Sequence, residues 1–290
     1  MAKDKPYPPQ YYNDYLHLKK ILDSQHLKSD EFGAHAHDEM LFIIIHQVYE
    51  LWFKQIIFEL DDLLSIFKEN EINESHVGTA VSRLDRIIEI QKILIDQIRV
   101  LETMTPMDFL DFRDFLIPAS GFQSVQFRLI ENKLGLQPDK RFSYGGTHYR
   151  SYLKSSDDDE VKGSESSPSL FKLLEKWLER TPFLQWGKTS FWNEYASAVR
   201  TMIASDRYLI ENNENLSEKE KQKHLDEYVK TESSFGVVLD QTQHNTLVSK
   251  GEWRLSHKAT QAALLILLYR EQPILHNPHR LLTKLADVDE

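Results

Sequence analysis

Two residues in this sequence have the type and setting to do chemistry. His46 follows the run LFIII and stands four residues before Glu50. On a helix its imidazole shares a face with Phe42 and Glu50 and is expected to point inward. Such a histidine is either a buried neutral group with both ring nitrogens hydrogen-bonded, or one that lines a cofactor or substrate cavity. Arg113 lies in TPMDFLDFRDFLIP, where Phe109, Arg113 and Leu116 fall at i, i+4 and i+7, so its guanidinium shares a face with apolar side chains. An arginine in an apolar wall needs an anion. That anion is either a neighbouring Asp or Glu or the carboxylate of a ligand gripped in bidentate fashion.

Other histidines carry less. His35 and His37 flank Asp38 and Glu39, but a metal needs three or four converging ligands, and acidic residues are what a helix N-terminus favours anyway. His276 and His279 stand three apart across Pro278, where regular helix is not expected, and read as surface residues. Tyr12 and Tyr15 open a short amphipathic segment and read as anchors for a terminal arm. A di-metal carboxylate bundle would use Glu50 and His46 as ligands, but the paired Glu-x-x-His spacing of that class is missing.

The element that must carry His46 is HDEMLFIIIHQVYELWFKQIIFELDDLLSIF, from His37 to Phe67, with neither Gly nor Pro. At about 1.5 Å per residue it would run roughly 45 Å as one helix. Leu41, Ile44, Ile45, Val48, Leu51, Trp52, Ile56, Phe58 and Leu60 recur at three-and-four spacing, and Phe42, Ile43, Tyr49, Phe53 and Ile57 add apolar character on other sides. That pattern predicts the central helix of a bundle. His46, Gln47, Glu50, Lys54, Gln55 and Glu59 interrupt the apolar run of about 18 residues that a membrane span needs. A second long helix is expected over about Val77 to Met104, buried along Val77, Val81, Leu84, Ile88, Ile95, Ile98 and Leu101. The short connection KENEINES makes the two antiparallel neighbours. Thr105 and Pro106 open a short helix bearing Arg113, and Pro118 ends it. Ser120 is placed to cap the next helix, which closes at Gly135.

Around these elements the expected organisation is a single all-α domain over 1–290, a helical bundle with long central helices. It has a Pro-bearing lead-in over residues 1–10 within an N-terminal arm at 1–24, and a flexible acidic loop at 154–169 that is Ser-rich and poor in large apolar residues. A charged helix at 211–230, opened by the capping box of Ser217 and Glu220, is expected to project into solvent or meet a partner. A last helix spans about Ser256 to Glu271. The aromatic-rich turn from Phe183 to Trp192 has no assignable form. With 10 Gly and 10 Pro in 290 residues, little of the chain is punctuated by turns. The absence of cysteine removes disulfides, thiolate ligands and cysteine nucleophiles. A net charge of −10 argues against nucleic acid as a main partner, and MAKDKPYPPQYY lacks an apolar signal core, which suggests a cytoplasmic protein.

The runs YNDYLHLKKIL, HDEMLFIIIHQVYELWFKQIIFELD, LETMTPMDFLDFRDFLIPASGFQSVQFRLIENKLG, KWLERTP and SKGEWRLSHKATQAALLILLYREQP resemble the tryptophan 2,3-dioxygenases, the haem enzymes of kynurenine formation. The resemblance covers nearly the whole chain. It implies an all-helical homotetramer whose subunits bind haem b and oxidise L-tryptophan with O2 to N-formylkynurenine. On that resemblance His46 is the distal histidine near the indole nitrogen, Arg113 pairs with the tryptophan carboxylate, and Phe42, Phe109 and Leu116 wall the indole pocket. Ser120 and Gly121 sit beside the haem edge, and Tyr12 and Tyr15 reach into a neighbouring subunit's site. In the family, the run resembling LLTKLADVDE leads into a helix with the iron-ligating proximal histidine and then a Gly-rich closing loop. The 290 residues match neither, which implies a fragment of a normal dioxygenase, a chain that pairs with a second polypeptide supplying the missing part, or a degenerate relative; His276 or His279 as a substitute ligand is the least favoured reading, because a ligand histidine needs an oriented second shell. The other implied possibility is a noncatalytic or truncated relative that keeps the fold and the carboxylate pocket.

Overall fold

The long Gly- and Pro-free run folds as one uninterrupted helix. The structure is a computed structural model that describes residues 7–137, 140–141, 148–181 and 191–289. Among these residues there is no strand. In chain order the helices are α1 (Tyr12–Tyr15), α2 (Leu18–Leu22), α3 (Lys28–Glu31), α4 (Asp38–Lys68), α5 (Glu74–Leu101), α6 (Pro106–Leu116) and α7 (Val125–Leu134). They continue as α8 (Ser155–Glu165), α9 (Leu170–Glu179), α10 (Phe191–Glu211), α11 (Glu218–Leu239), α12 (Gln241–Ser249), α13 (His257–Leu268) and α14 (His276–Asp289). Most of the lead-in, and the aromatic turn up to Ser190, lie outside the described residues; Phe191 and Trp192 open α10.

The chain divides into two compact units. The first comprises Met1–Glu59, Arg86–Glu131 and Gln137–Ser164. In it the expected antiparallel run of α4 and α5 is visible in side-chain ties: Tyr49 donates to the Leu94 carbonyl at 2.5 Å, and buried Glu59 pairs with Arg86 at 2.7 Å. Burial raises the Tyr49 phenol pKa. Buried Glu39 accepts from the backbone amides of Lys28 (2.7 Å) and Ser29 (2.9 Å), tying α3 to the start of α4. Arg128 and Arg141 sandwich buried Tyr149, with guanidinium carbons 5.3 and 4.4 Å from its ring centre, and both reach Glu131.

Three expectations fail in this unit. The stretch 154–169 contains a helix, α8, because Asp157 and Asp158 complement its first turn, Val161 is fully buried and Arg150 clasps Asp158 at 2.6 and 2.9 Å. That clasp lowers the Asp158 pKa. Ile95 and Ile98 of α5 are exposed, as are Ile44, Leu51 and Phe58 of α4. The arm is two short helices, because His17 adopts a left-handed conformation (φ 52°) between α1 and α2.

The second unit comprises Leu60–Asp85, Asn132–Leu136 and Glu165–Glu290. Its core gathers Leu178, Trp192, Ala259, Ala262, Leu265 and Ile266. The α9 helix buries one clean stripe, Leu170, Leu173, Leu174 and Leu178. Gly135 (φ +101°) closes α7 as expected, and a Cβ there would meet Ser169 Oγ at 2.7 Å. The charged helix begins later than expected, at Glu218, and does not project alone. It packs along α10, with Arg207 donating to Glu232 at 2.9 Å and Tyr228 to Asp206 at 3.0 Å. His244 of α12 is fully buried, with Nδ1 2.9 Å from the Val237 carbonyl and Nε2 2.9 Å from that of Leu255. His276 and Pro278 do lie in regular helix. Pro278 falls in the first turn of α14, where a missing N–H costs no intrahelical bond.

Candidate active site

The helix that carries Arg113 is set by its own ends. Thr105 caps α6: its backbone N–H (2.8 Å) and hydroxyl (2.6 Å) donate to the Asp108 carboxylate, while the Asp108 amide donates back to Thr105 Oγ1 at 3.3 Å. These bonds, from the hydroxyl first and then the amide, lower the Asp108 pKa. At the other end Ile117 turns extended before Pro118. The result is an eleven-residue helix with Phe109, Arg113 and Leu116 along one face.

On α4, His46 is exposed, which corrects the inward orientation expected for it and removes the buried structural role. Its Nδ1 lies 2.7 Å from the carbonyl of Phe42, one turn earlier, and its ring lies 4.1 Å from the Phe42 ring. A carbonyl can only accept, so Nδ1 carries the proton and Nε2 of the neutral ring is an acceptor. No described residue engages Nε2. The Phe42 ring is 5.7 Å from that of Phe109 and 5.5 Å from that of Phe112. His46, Phe42 and Phe109 are therefore brought together, with Leu116 half-buried on the same α6 face.

Arg113 is exposed, and among the described residues no carboxylate lies within ion-pairing distance of it. The internal-partner reading of this arginine is thereby excluded for the described residues. An exposed guanidinium without a carboxylate partner, one turn along α6 from Phe109, is set up to take a ligand carboxylate. Ser120 caps the turn Gly121–Gln123, its Oγ accepting from the Phe122 amide at 3.3 Å, and a Cβ on Gly121 would meet nothing within 4 Å. Tyr12 and Tyr15 are exposed on α1 and make no described contact with this pocket.

The sequence reading missed Phe112, the single buried residue of α6. The Phe109, Phe112, Phe115 spacing marks a second apolar line on the helix, beside the one that holds Arg113.

A haem needs a flat apolar slot and an axial ligand, usually an imidazole where cysteine is lacking. Phe42, Phe109 and Leu116, with the open turn at Gly121 and the free Nε2 of His46, have the chemistry of such a slot on its substrate-facing side. His276 and His279 do not. They share a shallow groove with Arg270, Glu271, Asn277 and Arg280, a polar setting with no apolar slot. Among the described residues no group of three or more metal-ligating side chains converges elsewhere.

Comparison with known proteins shows the family of the chain. The family model for tryptophan 2,3-dioxygenase matches residues 4–290. The tryptophan 2,3-dioxygenase of Bdellovibrio bacteriovorus is 51 % identical over 284 residues, covering 98 % of this chain and 79 % of its own length. That of Dictyostelium discoideum is 48 % identical over 280 residues (97 % and 70 %), and that of Xenopus laevis 45 % over 279 (96 % and 68 %). With the all-helical fold and a family match over nearly its whole length, this chain belongs to the tryptophan 2,3-dioxygenase family.

Proposed function

We propose that this chain catalyses the reaction its relatives are named for: the addition of both atoms of O2 across the indole C2–C3 bond of L-tryptophan, giving N-formylkynurenine. The observation that carries the reading is Arg113, a guanidinium with no described carboxylate partner on the same helix face as Phe109 and Leu116. A planar fork of donors grips the substrate carboxylate, and the aromatic wall accepts the indole. The two contacts together fix the orientation of the ring, and orientation is where much of the rate is gained.

His46 completes the grip. With its proton held at Nδ1 by the Phe42 carbonyl, Nε2 accepts from the indole N–H, a contact that tells the indole edge from a plain aromatic ring. It orients and polarises the substrate and has no need to act as a general base. Haem b, held against Phe42 and Phe109 beside the Ser120–Gly121 turn, supplies the O2 activation when bound.

Assembly as a homotetramer is part of the same reading. Ile44, Leu51 and Phe58 of α4 are exposed at seven-residue spacing, and α5 adds exposed Ile93, Ile95, Ile98 and Val100. Such an apolar seam on a folded chain calls for a cover. Exposed Tyr12 and Tyr15 are available to reach a neighbouring site in such an assembly. No membrane role is needed. Although α4 is long and apolar enough to cross one, its Gln47, Tyr49, Glu50 and Glu59 are tied to Gln25, Leu94, Gln126 and Arg86.

The test is tryptophan turnover by the haem-loaded protein, with binding followed by calorimetry. N-formylkynurenine formation that Arg113→Ala abolishes through lost affinity supports the reading; unchanged tryptophan affinity in that variant removes it.

A further inference from the structure

The eleven-residue helix α6, which carries Arg113, has one buried side chain, Phe112. We infer that Phe112 is the positioning residue that sets Arg113 against His46. The inference rests on the dioxygenase reading, because it takes Arg113 and His46 as the two ends of the tryptophan grip.

Three observations carry it. Phe112 is 0 % exposed, while every other residue of α6 is half-buried or exposed, so the helix has one deep anchor. The Phe112 ring meets Phe42 at 5.5 Å and 63° and Phe109 at 5.4 Å and 88°, edge-to-face in both cases. Phe42 in turn lies 4.1 Å from His46, the rings tilted by 37°, and supplies the carbonyl that fixes its tautomer. Phe112, Phe42 and Phe109 therefore form one three-ring cluster, with Phe42 and Phe109 5.7 Å apart, that joins α6 to the support of His46, and in sequence Phe112 is the immediate neighbour of Arg113.

Edge-to-face contacts are directional, whereas aliphatic packing only fills volume. A leucine at this position would keep the core filled and lose the orientation. The stacking of Phe115 on Phe32 (5.1 Å, 8°) does not replace it, because Phe32 is largely exposed. Phe112 touches neither substrate nor cofactor in this scheme and acts only through Phe42 and through its place on α6.

The experiment is Phe112→Leu on the haem-loaded protein, alone and combined with Arg113→Ala. It is read by tryptophan affinity from calorimetry and by KM and kcat with tryptophan and with tryptamine, which lacks the carboxylate. The expected result is a fold-preserving variant whose tryptophan affinity falls about tenfold and whose KM rises with it. Tryptamine binding should change less than twofold, and the Arg113→Ala background should show little further loss. Equal losses for tryptophan and tryptamine in both backgrounds would mean that Phe112 only fills the core, and would overturn the inference. Unchanged tryptophan affinity in Phe112→Leu alongside a loss in Arg113→Ala would overturn it while leaving the dioxygenase reading intact. No effect of Arg113→Ala itself would sink that reading first, and the inference with it. Should Phe112→Leu fail to fold, Phe112→Met, with flexible bulk of similar size, is read by the same criteria.

Discussion

His46 and His244 are the same side chain in opposite circumstances. His244 is fully buried between α11, the loop before α13 and its own helix, with both ring nitrogens 2.9 Å from backbone carbonyls. His46 is exposed, with one nitrogen on a carbonyl and the other unengaged by any described residue. A polar group that the fold has fully satisfied stabilises the fold and can offer nothing to a ligand. One left half-satisfied on an aromatic wall is available for binding. Arg128 and Arg113 repeat the contrast. Arg128 is buried, stacked on Tyr149 and paired with Glu131 at 2.9 Å, whereas Arg113 is exposed and without a described carboxylate. On α4 and α6 the chain thus leaves His46 Nε2 and the Arg113 guanidinium exposed and open to a ligand.

Removing these groups should separate the two regions cleanly. The largest effect is expected from Arg113→Ala, which should weaken tryptophan binding about 100-fold, or roughly 3 kcal/mol for a charge-assisted bidentate contact, with the melting temperature unchanged. Arg113→Lys should recover only a minor part of it, since an ammonium cannot reproduce the planar fork. His244→Ala should do the reverse. Loss of the ring leaves two carbonyls unpaired in a cavity and should cost about 2 kcal/mol or more in denaturant unfolding, with tryptophan affinity preserved. If His244→Ala altered affinity while leaving stability intact, the contrast between the two histidines would collapse.

His46→Ala should slow turnover about tenfold, the worth of one hydrogen bond of roughly 1 kcal/mol, while moving stability by less than about 0.5 kcal/mol, as expected at an exposed position. A variant that failed to fold would return His46 to a structural role. On the exposed seam, Phe58→Glu should lower the assembly state in sedimentation velocity, since a charge there opposes apolar contact. An unchanged sedimentation coefficient would free that face of any role between subunits.

The smallest effect is a pH dependence at the α6 cap. The Thr105 donors lower the Asp108 pKa, so the cap is complete above the unfolded carboxylate value of about 3.9 and is lost as pH falls through the lower folded value. Fraying of the first turn of α6 below about pH 4 should appear in the Phe109 backbone NMR shifts. It should be smaller in Thr105→Val, which removes the hydroxyl and keeps the backbone donor.

Much of this was legible locally. The Gly- and Pro-free run became α4, Thr105 and Pro106 opened α6, Gly135 closed α7, and the Ser217 and Glu220 box opened α11, because caps and breakers act through the nearest few residues. The 154–169 stretch was misread because its composition is that of a solvated loop. What made it a helix was Arg150 clasping Asp158 and Val161 finding a buried place, both contacts outside its own pattern.

By itself the sequence determined the helical class, the existence of two long helices, the line of Phe109, Arg113 and Leu116 on one helix face, and membership of the family. These follow from periodicity, capping and the identity of long runs, all properties of neighbouring residues. Only the tertiary structure decided which apolar positions go inside. It buried Phe112 and left Phe58 71 % exposed, though Phe58 belongs to the more apolar helix. It also decided that His46 is free and His244 is not. Burial and hydrogen-bond satisfaction depend on what the rest of the chain brings alongside, and no periodicity along a single helix encodes its neighbours.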